Sequence, residues 1–171
     1  MNKANISGRS FEKRYDFCTH HKLTMQTIKS KGKRIQMYRF DDTVVLKQGH
    51  FKKYMEYRHG KKRGNDKDWN PDTCFVNTER NIIHVLEMKN QTCSGSVDIK
   101  LLAGRSIRSL YQDMVYDYGQ TYRVEYGFAL APYFKLQEYE RWLKMMGDDS
   151  IQHFFVDDDE YYNKIRNWLH E

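Results

Sequence analysis

An α/β domain with a mixed β-sheet flanked by α-helices is the fold class this sequence predicts. Three observations predict it. The run "IIHVLEMK" is almost continuously apolar and follows a shorter apolar run across a polar turn. Helical spacing of apolar residues appears on both sides of that pair, and short strand-like runs alternate with helices toward the carboxyl end. A run that is apolar at successive positions belongs in the middle of a sheet, because a half-exposed strand alternates. At 171 residues the chain fits one domain, taken as 1–171, without repeat, low-complexity tract or linker.

In chain order, "SGRSFEKRYDFCTHH" places Phe11, Tyr15 and Cys18 at i, i+4 and i+7, with Ser10 available as N-cap. This spacing predicts one amphipathic helix with Glu12 beside its apolar face. "RIQMYRF" and "TVVLK" predict strands around an Asp41-Asp42 turn, while "HFKKYMEYRHG" reads equally as short helix or strand. The basic stretch 61–68 reads as a loop. Residues 72–76 predict a strand, "NTER" a turn, and Ile82 to Lys89 the second strand of a hairpin. After a loop at Gly95, Ile107, Leu110, Tyr111, Met114, Val115 and Tyr118 follow helical spacing, and Gly119 stands where the helix should end. "RVEYGFALA" is a strand. Pro132 suits a helix start ahead of Leu136, Tyr139, Leu143 and Met146, with a stop at Gly147. "IQHFFV" is another strand, and a last helix from about Asp159 carries Ile165 and Trp168.

Apolar residues make up 39% and charged residues 30%, with a mean hydropathy of −0.90. The chain is polar, yet its Tyr and Phe content supplies a core and argues against disorder. No apolar run approaches the roughly 20 residues that span a bilayer, and no basic and apolar leader opens the chain. The expectation is a cytoplasmic or intracellular protein without signal peptide, transmembrane segment or membrane partner. Cys18, Cys74 and Cys93 form no CxxC pair and signal neither a disulfide framework nor a zinc knuckle. Cys18, His20 and His21 in "CTHH" lack a second ligand pair at metal spacing and read as helix-side residues.

Charge is unevenly spread. Residues 1–68 hold 18 Lys and Arg against 7 Asp and Glu, whereas the remainder is net acidic within a total of +6. Such asymmetry suits a polyanion approaching one side. "KSKGKR", with Lys29, Lys31, Lys33 and Arg34, and "HGKKRGNDK", with Lys61, Lys62, Arg63 and Lys67, are the candidate phosphate contacts.

Charged residues also stand inside the central hairpin. Successive strand side chains alternate faces, so Glu87, Lys89 and Gln91 project to one side at intervals of roughly 6.5 to 7 Å. Asp72 on the neighbouring strand adds a second carboxylate. Burying such charges costs several kcal/mol unless they are paired or bind a metal. Hard oxygen ligands with open positions suit Mg²⁺, which keeps waters and bridges to phosphate oxygens. His84 falls on the face opposite Glu87, and it and His153, beside Phe154 and Phe155, read as core histidines. Of the aromatic residues, Tyr54, near Lys52, is one that could stack on bases.

Pro71-Asp72 followed by a hairpin to Glu87-Met88-Lys89 resembles the PD-(D/E)xK nuclease superfamily, with its restriction-endonuclease-like core. Glu12 on the first helix matches an additional acidic residue of that family, and the later helix carries Gln112 and Tyr116. "EMKNQTCSGSVDIKL" is most like small type II restriction-enzyme members. A second DxK, Asp98 to Lys100, falls after Gly95 and Ser96, where a loop or helix start is expected.

The resemblance implies a metal-dependent endodeoxyribonuclease of type II restriction type acting on double-stranded DNA. Its site would be Asp72, Glu87, Lys89, Glu12 and Gln91. Mg²⁺, with Mn²⁺ as substitute, would be held by Asp72, Glu87 and the backbone carbonyl of Met88. One site per chain implies a homodimer for cutting both strands. Repair, junction-resolving and transposition nucleases share the fold, and a non-catalytic DNA-binding module is the reading from another class.

Overall fold

The structure, a computed structural model, describes residues 8–61, 70–93 and 97–171. Seven strands form one sheet in sequence order: β1 (Gln26–Ser30), β2 (Lys33–Phe40), β3 (Thr43–Leu46), β4 (Thr73–Asn77), β5 (Ile82–Lys89), β6 (Arg123–Leu130) and β7 (Gln152–Phe155). The first five run antiparallel to their neighbours, and β6 and β7 continue parallel to β5. The predicted α/β class with a mixed sheet flanked by helices is what the chain adopts.

Helices cover both faces. On one side lie α1 (Gly8–Arg14), α2 (Phe17–His20) and α7 (Tyr161–His170). Phe17 meets Phe40 and Phe75 edge-on at 4.9 and 5.1 Å, and Trp168 packs on His84 and Phe154. On the other lie α3 (His50–His59), α4 (Val97–Leu102), α5 (Gly104–Asp117) and α6 (Glu140–Asp148). Here Tyr111 stacks on Tyr126. A Cβ at Gly104 would stand 3.2 Å from Phe128 and Ile151, so glycine is what lets α5 approach β6 this closely. β5 is buried along its first five residues, as its apolar run requires.

Local chemistry sets the boundaries. The first helix is two helices, because Asp16 leaves helical geometry and caps α2 by accepting from the Thr19 amide at 3.1 Å and its hydroxyl at 2.6 Å. "HFKKYMEYRH" resolves to helix, ended by Gly60 at a φ of 85°. Strand β1 has no counterpart in the sequence reading: "QTIKS" carries one large apolar residue, Ile28, too few to show alternation. Its hairpin with β2 turns on Lys31-Gly32, both at positive φ, a two-residue turn whose twist matches the strands. Asn77 accepts from the amides of Glu79 and Arg80, closing the β4–β5 turn. After Pro132 come two short 3₁₀ turns, Pro132–Lys135 and Gln137–Tyr139, so the proline starts a turn and α6 begins only at Glu140. No helix among the described residues is long and apolar enough to cross a membrane.

The burial of His84 makes the fold acid-sensitive. Burial above all, then Arg80 and Arg123, depresses the His84 pKa from 6.5 to about 4. Between those values the unfolded chain binds the extra proton, so this contribution is complete above about pH 6.5 and declines as pH falls toward 4, by up to about 1.4 kcal/mol per unit. Urea unfolding across a pH series should show that decline, and His84→Gln should flatten it. Part of the slope should persist through His153, whose pKa burial also lowers.

Candidate active site

The site forms where β4 begins and β5 runs past it. The pairing of Thr73 with Leu86 places the preceding residue, Asp72, opposite Glu87 on the same face. Asp72 therefore lies one residue before the strand rather than inside it. Its Oδ2 accepts the Met88 amide at 2.8 Å, so the carboxylate takes the place of the missing strand partner. In a strand the N–H and C=O of one residue point to the same side, which turns the Met88 carbonyl toward Asp72 and away from β6.

Glu87 and Lys89 share the face toward α5. Lys89 Nζ lies 2.9 Å from Glu87 Oε2 and 5.8 Å from the Phe128 ring centre. The Tyr111 hydroxyl donates to Glu87 Oε1 at 3.5 Å, at the long edge of a hydrogen bond. Burial pushes the Glu87 carboxyl above its ordinary range; Lys89 opposes this and Asp72 adds to it. Burial also raises Glu12, followed by the charge of Asp72, while Lys89, Arg9 and Lys47 pull it down. Glu12 therefore shares one electrostatic neighbourhood with Asp72 and Lys89. The structure brings Glu12, Asp72, Glu87, Met88 and Lys89 together; Gln91 is a buried polar residue two positions beyond the end of β5.

Asp72, Met88 and Glu12 open onto a groove of about 530 Å³ between α1–α2 and the start of α3. Four cations line it: Arg9, Lys13, Lys47 and Lys53. Sequence reasoning missed all four. Arg9, Glu12 and Lys13 follow i, i+3 and i+4 on α1, a polar stripe readable beside the apolar one. Lys47 bonds Asp16 at 2.6 Å. Burial would raise the Asp16 carboxyl, but Lys47 and Thr19 more than offset it and hold it low.

The remaining candidates separate. Lys29, Lys31 and Arg34 are exposed on the β1–β2 hairpin, and Lys33 pairs with Glu56 at 2.6 Å. Lys61 is exposed after α3, whereas Lys62, Arg63 and Lys67 lie outside the described residues. Gln112 clamps α5 to the start of β6, donating to the Tyr122 carbonyl and accepting from the Val124 amide, a structural role. Tyr116 faces outward on α5, and Tyr54 is buried. Asp98 and Lys100 lie on α4, apart from the hairpin. Cys18 is buried, its thiol pushed up to about 12 by burial, and His20 stacks on Tyr162 at 3.5 Å. "CTHH" is thus packing.

Among the described residues no group of three or more His, Cys, Asp or Glu side chains is arranged to hold a metal ion. A cation here would rest on two carboxylates, Asp72 and Glu87, a main-chain carbonyl and waters. That donor set is hard and only partly protein, which fits Mg²⁺ better than a softer ion. No protein-family profile, curated protein or solved structure matches this chain.

The raised carboxyl of Glu87 means its ionised form is held at a cost to folding. Glu87→Gln should leave the melting temperature at pH 7 unchanged or higher, since an amide needs no counter-charge. Lys89→Met should lower it, because Glu87 is left buried without its cation. Combining both substitutions should recover most of the loss, a coupling that thermal melts of the four proteins measure.

Proposed function

We propose that the protein is a Mg²⁺-dependent endonuclease that hydrolyses phosphodiester bonds of duplex DNA, of the PD-(D/E)xK class and the sequence-specific type II kind. One observation supports this above others: Asp72, Glu87 and Lys89 converge where β5 outruns β4, beside a groove lined by four cations. A carboxylate pair, an adjacent ammonium and a groove that also carries arginine and lysine side chains are parts that phosphodiester hydrolysis can use.

In the proposed reaction a water oxygen bonds to phosphorus, the P–O3′ bond breaks, and the products carry a 5′-phosphate and a 3′-hydroxyl. Asp72, Glu87 and the Met88 carbonyl would hold the cation, with Mn²⁺ able to replace Mg²⁺. When bound, it supplies Lewis-acid polarisation of a phosphate oxygen and makes nearby water more acidic. In this reading Lys89 contacts a nonbridging oxygen, where its charge offsets the negative charge that grows as the fifth bond to phosphorus forms. The negative charge of Glu12 attracts the Lys89 side chain and steadies it beside Asp72 and Glu87. Arg9, Lys13 and Lys53 hold the DNA backbone along the groove, while Lys47 is engaged by Asp16. Two protomers, each cutting one strand, complete a double-strand break.

Supercoiled plasmid incubated with the protein should be cut in Mg²⁺ and spared in EDTA. Glu87→Gln and Lys89→Met should each slow cutting by about 100-fold or more. Discrete fragments indicate sequence specificity, and failure to cut with either Mg²⁺ or Mn²⁺ would overturn the reading. Without DNA, saturating Mg²⁺ should raise the melting temperature of the wild type by roughly 2 to 5 °C and that of Asp72→Asn by much less.

A further inference from the structure

Strand β2 spans eight residues, but it pairs with β3 only through Tyr38, Arg39 and Phe40. Its first part, residues 33–37, pairs with β1 alone and leaves the sheet as a two-stranded ribbon. The two faces of this ribbon differ in kind. One is anchored: Ile35 is buried, Ile28 packs against the core, and Lys33 is held by Glu56 of α3. The Gln36 amide adds a bond to His50 Nδ1 at the head of α3, 3.1 Å long.

The opposite face is polar and open. Thr27 stands across from Gln36 and Lys29 across from Arg34, and all four are exposed. None of the four side chains bonds or pairs with another described residue. Gln36 lines the same groove as Glu12, Asp72 and Met88, so this face leads directly into the candidate active site.

We infer that Thr27, Lys29, Arg34 and Gln36 are the base-reading surface of the protein, laid by the β1–β2 ribbon into the DNA major groove; the inference rests on the nuclease reading of the adjoining site. The fit is geometric and chemical. A two-stranded ribbon enters the major groove of B-DNA, about 12 Å wide. Arginine and lysine pair with guanine, glutamine with adenine, and threonine meets either an acceptor or the thymine methyl. The two rungs are roughly 7 Å apart along the ribbon, about two base-pair steps of 3.4 Å, so one ribbon addresses about three consecutive base pairs. Lys31, exposed at the turn, falls beyond the rungs and meets phosphate. An A-form RNA duplex offers a major groove too deep and narrow for the ribbon.

The test is selection of bound duplexes from a library with a randomised centre, using the full chain with Glu87→Gln in Mg²⁺ so that bound DNA stays intact. Sequencing should reveal an enriched motif. Adding Arg34→Ala or Gln36→Ala should relax the preference at one or two adjacent positions and cost about 10-fold in affinity for the enriched duplex, with little change for others. Lys31→Ala should weaken all duplexes alike and lower the salt dependence by about one counterion. Unchanged melting temperatures would show that these exposed substitutions leave the fold intact. No motif, a motif indifferent to both Arg34 and Gln36, a uniform loss of affinity in those two variants, or equal binding of the matching RNA duplex would each overturn the inference. Selective binding by a chain that never cuts plasmid would keep the ribbon's role and remove the nuclease reading. Cutting at a motif insensitive to the ribbon would do the reverse.

Discussion

The register between β4 and β5 is the constraint on which the rest of the molecule depends. Thr73 opposite Leu86 and Phe75 opposite His84 place one set of side chains against α2 and α7 and the alternate set against α5. A slip of one residue would turn every β4 side chain to the wrong face and expose Phe75 or Val76 to helices shaped for the other. The same register sets Asp72 across from Glu87. Core packing therefore positions the site, and the energy that fixes the carboxylates comes from apolar contacts some residues away.

That arrangement explains how charges persist at the end of so apolar a strand. Asp72 is tolerated because it accepts a main-chain hydrogen bond that β4, having ended, no longer supplies. Glu87 is less well served. Lys89 and a long bond from Tyr111 offset its burial only in part, and its carboxyl stays raised. A structural ion pair optimised for stability would leave neither carboxylate with an unfavourable neighbour, yet here Asp72 and Glu87 repel each other and Asp72 also disfavours ionised Glu12. Local rules are broken together at one place, the pattern expected where stability is given up for chemistry.

Most of this was legible in the sequence, for identifiable reasons. The apolar run of β5 betrays a strand buried on both faces, and the charges at its end are conspicuous because they interrupt it. Helical spacing found the buried face of α5 through Tyr111, Met114 and Val115, although Leu110 of the same stripe is exposed. What escaped depends on contacts between distant segments. The break at Asp16 arises from a cap that competes with a continuous apolar stripe, and the stripe alone predicts one helix. Strand β1 is held by pairing with β2 and has no core face of its own to leave a period. The groove cations come from α1, the end of β3 and α3, and no linear motif joins Arg9 to Lys53. Gln112 stands out in the sequence only through the family resemblance, while its work is to tie α5 to β6.

The ribbon at the sheet edge admits a plainer account. Exposed edge strands invite pairing with other chains, and lysines are a common protection against it. Protection explains Lys31 at the turn and Lys29 at the edge of β1. It does not explain β2, whose Arg34 and Gln36 point off the ribbon's face rather than along its open edge. Nor does it explain why the single cation on the anchored face, Lys33, is neutralised by Glu56 while the groove-side face keeps Lys29 and Arg34 free of any described acid. Edge protection requires charge anywhere along the strand. A recognition surface requires charge on one face, beside the site it serves, with the other face fastened to the body of the protein. The β1–β2 ribbon meets the second set of conditions.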